Sequence, residues 1–114
     1  MSKREFFAHS LLASECLIKT FEQAIMAKII LEKESVRRTN EWISLVGITN
    51  EYGLPYHKTM RFIMKLVRHG YAETRARQIS PHVKRKPFDF ALTKNGKCKL
   101  TAELQNLKDE ISSL

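Results

Sequence analysis

The sequence predicts a mostly helical α+β fold in a single domain, and three observations carry that reading. Apolar residues recur every three or four positions through three long segments with no internal proline. Gly53-Leu54-Pro55 and Gly70 punctuate the middle of the chain in the way helix ends and starts do. Phe88, Phe90 and Leu92 alternate with their neighbours as one face of a strand does. With 114 residues, 43% of them apolar, and only four glycines, the chain suffices for one packed core over 1–114 and is too short for most multi-domain enzymes.

From Ser10 the chain runs through Leu11, Leu12, Cys16, Leu17, Phe21, Ile25, Ile29 and Leu31 to Glu34 without glycine or proline. This predicts one long helix or two in tandem over 10–34, capped by Ser10 or Ser14. Arg37-Arg38-Thr39-Asn40 is a polar break, after which Trp42, Ile43 and Leu45 predict a brief strand, with Trp42 a core anchor beneath the next helix. A helix from Ser44 to Tyr52 and another from Pro55 to His69 make a helical pair over 44–69. At about 100° per residue, Met60, Ile63, Met64 and Val67 share an apolar face of the second of these, and Lys58, Arg61, Lys65 and Arg68 fall within about 80° on a neighbouring face. Phe62 borders the basic face and is assigned to the core, as is Tyr56.

Beyond Gly70, Tyr71 to Ile79 lacks a helical stripe and reads as extended. A basic tip, Ser80 to Pro87, and the strand Phe88 to Leu92 complete a β-hairpin over 71–92, with Asp89 on the outer face of its strand. The last helix covers 94–114. Its Leu100, Leu104, Leu107, Ile111 and Leu114 form a heptad-like seam.

The net charge of +8 is concentrated. Between Tyr56 and Lys99 there are twelve basic residues against Glu73 and Asp89, whereas Met1 to Pro55 is balanced at seven of each sign. One contiguous stretch therefore carries the excess, which points to a polyanion-binding surface. Cys16 and Cys98 have no CxxC spacing and no flanking histidine, so they predict reduced, semi-buried thiols and no metal site. No Gly-rich phosphate loop, nucleophile-histidine set or paired carboxylates occur at a recognisable spacing, so neither catalysis nor a cofactor is expected. No apolar run approaches the ~18 residues of a membrane span, and Lys3, Arg4 and Glu5 interrupt any leader-like segment, so a cytoplasmic protein is expected.

Helix, turn, helix and a two-stranded wing is the layout of a winged helix-turn-helix domain, and three motifs add detail. Ile48 to Pro55 resembles the second helix and turn of such domains. Thr59 to Tyr71 resembles a recognition helix ending in "LxxxGY". Phe90-Ala91-Leu92-Thr93-Lys94-Asn95-Gly96-Lys97 resembles the "(Y/F)xLTxxG(K/R)" segment that closes the wing in the PadR and MarR families and in related archaeal winged-helix proteins. The likeness spans about Trp42 to Leu107. The very basic tip of the hairpin departs from the typical pattern.

That resemblance implies a sequence-specific regulator of transcription that binds double-stranded DNA, nucleoid-associated in a prokaryote. The third helix would enter the major groove, presenting His57, Lys58, Thr59 and Arg61 to bases or phosphates and Lys65 and Arg68 to phosphates. Arg75, Arg77, Lys84, Arg85 and Lys86 of the wing would meet the backbone or the minor groove. Six to eight such cations on phosphates correspond to a slope of log affinity on log salt of about −5 to −7. The terminal seam of Leu100, Leu104, Leu107, Ile111 and Leu114 either packs on its own domain or forms a homodimer interface, and the apolar residues near both termini favour the dimer. Recognition of RNA, or docking of an acidic protein partner, is the alternative.

Overall fold

The computed structural model describes residues 16–76 and 88–112. Within them the order is α1 (Phe21–Ser35), β1 (Ile43–Ser44), α2 (Leu45–Tyr52), α3 (Tyr56–Arg68), β2 (Ala72–Ala76), β3 (Phe88–Leu92) and α4 (Lys94–Ser112). The strands form one antiparallel sheet in the order β1-β3-β2. Leu45, Ile48, Phe62, Ile63, Leu66, Phe90 and Leu100 fill the core together with Met26 and Ile30 of α1.

Local chemistry sets the element ends. Thr20 caps α1: its side chain accepts from the Gln23 N–H at 3.1 Å, while Gln23 Oε1 accepts from the Lys19 N–H at 2.7 Å. The described helix accordingly starts at Phe21; Ser10 and Ser14 lie outside the described residues. Ser44 caps α2 through the Gly47 N–H at 3.0 Å, as its position predicts. At the end of α3, Gly70 takes φ +77°. The Tyr71 N–H then reaches the Leu66 carbonyl and the Gly70 N–H the Val67 carbonyl, a Schellman closure that needs the left-handed residue.

Thr93 explains the "LTxxG" motif. Its Oγ1 accepts from the Gly96 N–H and donates to the Gly70 carbonyl, each at 3.1 Å, and its own N–H donates to the Tyr71 carbonyl at 3.0 Å. Gly96 sits directly on that carbonyl. A Cβ there would lie 2.8 Å from the Tyr71 carbonyl carbon and closer still to its oxygen.

Two buried acids join elements distant in sequence. Glu34, at the end of α1, accepts from Arg37 Nε and Nη2 at 2.8–3.0 Å and from the Leu92 N–H at 3.3 Å, with Lys97 Nζ at 3.5 Å. Burial pushes its carboxyl up, but these bonds and the Arg37 and Lys97 charges hold it below the ordinary value of 4.5. Glu103 of α4 accepts the Ile18 N–H at 2.9 Å.

Four expectations are corrected. Asp89 is buried rather than on an outer face, because β3 is the central strand with both faces covered, and Arg75 neutralises it at 3.2 Å. Trp42 is half-buried at the sheet edge with the Arg75 guanidinium 5.3 Å from its ring centre, and is not a core anchor. Cys98 is exposed, on the solvent side of α4, while Cys16 is half-buried. The apolar arc of α3 is centred on Thr59, Phe62, Ile63 and Leu66, leaving Met64 exposed.

Candidate nucleic-acid interface

Helix α3 carries the candidate surface, and its rotation about its own axis decides what each side chain does. The buried arc of Thr59, Phe62, Ile63 and Leu66 faces the core. The opposite arc is His57, Arg61, Met64 and Arg68, spaced four, three and four residues apart and exposed throughout. The side chains of Arg61 and Arg68 have no hydrogen bond or ion pair among the described residues. His57 stacks edge-on against Tyr56 with ring centres 5.5 Å apart, which steadies the first turn.

The predicted basic stripe runs along one open groove of about 360 Å³, which Lys58, Arg61, Lys65 and Arg68 line together with Thr20, Glu22 and Met26 at the start of α1. Lys58 Nζ pairs with Glu22 Oε1 at 3.3 Å, with both side chains largely exposed. Such a pair is weakly held in water and can be exchanged for another anion.

Lys65 is tied to the protein's own backbone. Its ammonium is half-buried and donates to the Leu17 carbonyl at 2.6 Å. Burial lowers its pKa from 10.5, as do the nearby Lys19 and Arg68 charges, with Glu103 acting in the opposite sense. Thr59 is likewise withdrawn from any ligand: fully buried, its Oγ1 donates to the Pro55 carbonyl at 2.8 Å. A threonine can occupy the core side of a helix because that bond satisfies its hydroxyl.

The wing residue Arg75 is also occupied. It is shared between Asp89 Oδ2 and the Trp42 ring at the base of the hairpin, while its side chain stays 56% exposed. Arg77, Lys84, Arg85 and Lys86 lie outside the described residues. In the terminal seam, Leu100 is enclosed by its own domain and Leu104 and Leu107 pack against the same core, so Leu100 has no surface to offer a partner. Leu114 lies outside the described residues. Among the described residues no group of histidine, cysteine and carboxylate side chains suits a metal, and no helix is long and apolar enough to cross a membrane.

Sequence missed Met64 as part of this face, although its four-and-three spacing from His57, Arg61 and Arg68 was present to be read. It also missed Glu22 and Leu17, which lie dozens of residues from the lysines they hold.

No protein-family model and no curated protein matches the sequence. Solved structures do. The chain superposes on MepR, a transcription regulator of the Staphylococcus aureus multidrug efflux pump MepA, with a TM-score of 0.58 at 10% identity, covering 97% of this chain and 74% of that one. The fold is a winged helix-turn-helix. The Multiple Antibiotic Resistance Repressor MarR matches with a TM-score of 0.56 at 18% identity over 96% of this chain and 70% of its own. A Staphylococcus aureus MepR variant bound to an oligodeoxyribonucleotide matches at 0.55 and 14%, over 97% and 69%. In this winged helix, α2 and α3 are the helix-turn-helix and β2 and β3 flank the wing, as the motifs around Gly53, Gly70 and Thr93 imply.

Proposed function

We propose that this chain is a single winged-helix domain over 1–114 that binds double-stranded DNA in a sequence-specific manner and regulates transcription. Helix α3 reads the major groove, and the wing over 71–92 lies on the backbone or in the adjacent minor groove. The observation that carries the reading is the outward arc of α3, where Arg61 and Arg68 have no protein partner among the described residues and are free to meet base edges and phosphates. The DNA-bound structure among the fold's neighbours supports it. Arg61 is the base reader, His57 and Lys58 serve bases or phosphates, and Arg68 serves phosphate. Arg77, Lys84, Arg85 and Lys86 supply the sequence-independent share of the affinity. The role is a non-catalytic, intracellular one.

The domain pairs into a homodimer through its terminal helices. Leu104 and Leu107, only partly buried against the chain's own core, supply the contact with Ile111 and Leu114, while Leu100 is fully buried. Two-fold pairing places two α3 helices on successive half-sites. Light scattering at tens of micromolar checks this, and a monomer mass rejects it.

Titration with matched duplex DNA, duplex RNA and single strands tests the main reading. Preference for duplex DNA, with a logarithmic salt slope of about −5, is expected for roughly six phosphate contacts. A preference for RNA, no binding at low salt, or a slope shallower than about −2 rejects it.

A further inference from the structure

Met64 occupies the middle of the outward arc of α3, between Arg61 and Arg68. It is 40% exposed, and unlike Met60 and Val67 it lies outside the hydrophobic core. A single exposed methionine is ordinary on a protein surface. Here, however, it shares an exposed helix face with Arg61 and Arg68, whose guanidiniums have no hydrogen-bond or ion-pair partner among the described residues, and that face is the one the proposed function turns toward DNA. A side chain at that position is desolvated when the duplex docks, and it carries no hydrogen-bonding group with which to repay the water it displaces except a weak thioether acceptor.

One base-edge group suits it. In the major groove every base presents donors or acceptors, and thymine alone adds an apolar methyl group at C5. Methionine is long, unbranched and polarisable, so it can settle over a methyl group without strict geometry. We propose that Met64 is a specificity-determining residue that reads the 5-methyl group of a thymine. The inference rests on the DNA-binding reading above and adds to it a chemical preference that the charges do not supply.

The helix also fixes where that thymine lies. Met64 is three residues beyond Arg61, about 4.5 Å along the axis, against about 3.4 Å per base step. If Arg61 engages a guanine, the thymine lies one or two steps from it on the recognised half-site.

Duplexes selected from a random pool provide the test, because deoxyuridine differs from thymidine only by the missing methyl group. Each thymine of the selected site is replaced singly by deoxyuridine, and binding is followed by fluorescence anisotropy with the wild-type chain and with Met64→Ala. The expected result is one thymine per half-site whose replacement weakens wild-type binding about three- to fivefold. The same replacement should leave Met64→Ala unaffected, its circular dichroism and melting matching wild type. The proposal is overturned if no replacement matters to the wild type, or if Met64→Ala keeps the same sensitivity. Either outcome with sequence-selective binding intact leaves the DNA-binding reading standing. Failure to select any duplex removes both.

Discussion

Lys65 Nζ donates to the Leu17 carbonyl oxygen at 2.6 Å. The N–H of the same peptide unit, on Ile18, donates to Glu103 Oε1 at 2.9 Å, so one peptide group is held by α3 on one side and α4 on the other. Lys65 thus works inside the protein, and its contribution separates cleanly from that of Arg68. Lys65→Met is expected to lower stability by about 1–2 kcal/mol and to leave the salt slope of DNA binding unchanged. Arg68→Met should leave stability nearly unchanged and reduce the slope by about one. Denaturant melts and titrations at several salt concentrations check both; equal slope changes would return Lys65 to the phosphate-binding set.

Glu34 predicts an acid limb of stability. Its carboxyl is held below 4.5 by Arg37, the Leu92 N–H and Lys97 in spite of burial. A folded-state pKa below the unfolded one gives stability that is fully present above the unfolded value and is lost as pH falls through the folded one. Melts between pH 6 and about pH 3 should therefore show a decline that Glu34→Gln flattens. The substitution itself should cost about 2–3 kcal/mol near neutrality, since Arg37 keeps some access to water.

Gly96 and Gly70 are both required, for different reasons, and the costs should rank accordingly. At Gly70 an alanine meets open space and is penalised only by φ +77°, about 1–2 kcal/mol. At Gly96 an alanine collides with the Tyr71 carbonyl. Overpacking against backbone that cannot rotate away should cost about 3 kcal/mol or more. Thermal melts that placed the two substitutions in the opposite order would show that α4 can lift from Tyr71.

Arg61, Arg75 and Arg85 should give three distinct phenotypes. Arg61→Ala is expected to relax base preference at about 1–3 kcal/mol. Arg85→Ala should weaken binding to selected and random duplexes alike. Arg75→Ala should leave base preference intact but shift Trp42 fluorescence to the red, because the guanidinium over its ring is lost. If Arg61→Ala and Arg85→Ala behave identically on both kinds of duplex, α3 does not read bases.

What was legible in the sequence was mostly local. Ser44, Gly53, Pro55 and Gly70 marked helix ends within a residue or so, because caps and left-handed closures are properties of a few adjacent residues. The winged layout followed from the order of those elements. The rotation of α3 was less legible: counting Met60 and Met64 as apolar, and Thr59 as polar, turned the helix away from its true setting. A threonine that bonds its own backbone is cheap to bury, and Phe62 claims the centre of the buried arc by size. Asp89 reads as solvent-facing by alternation, and only the packing around β3, with Arg75 brought against it from β2, reveals a strand covered on both faces. The partners of Lys65, Glu34 and Glu103 lie 48, 58 and 85 residues away. No local pattern encodes such distances.

On the proposed DNA-binding reading, the junction at Thr93 has a bearing on which operators are accepted. Thr93 bonds both Gly70, where α3 ends, and Tyr71, where the chain enters β2, while Gly96 closes on Tyr71 without an intervening side chain. Helix α3 and the strand β2 that leads toward the wing thus branch from one hydrogen-bonded junction. On the proposed DNA-binding reading, a junction that sets the direction in which β2 leaves α3 makes the flexibility of the base pairs between the two limbs part of what is recognised.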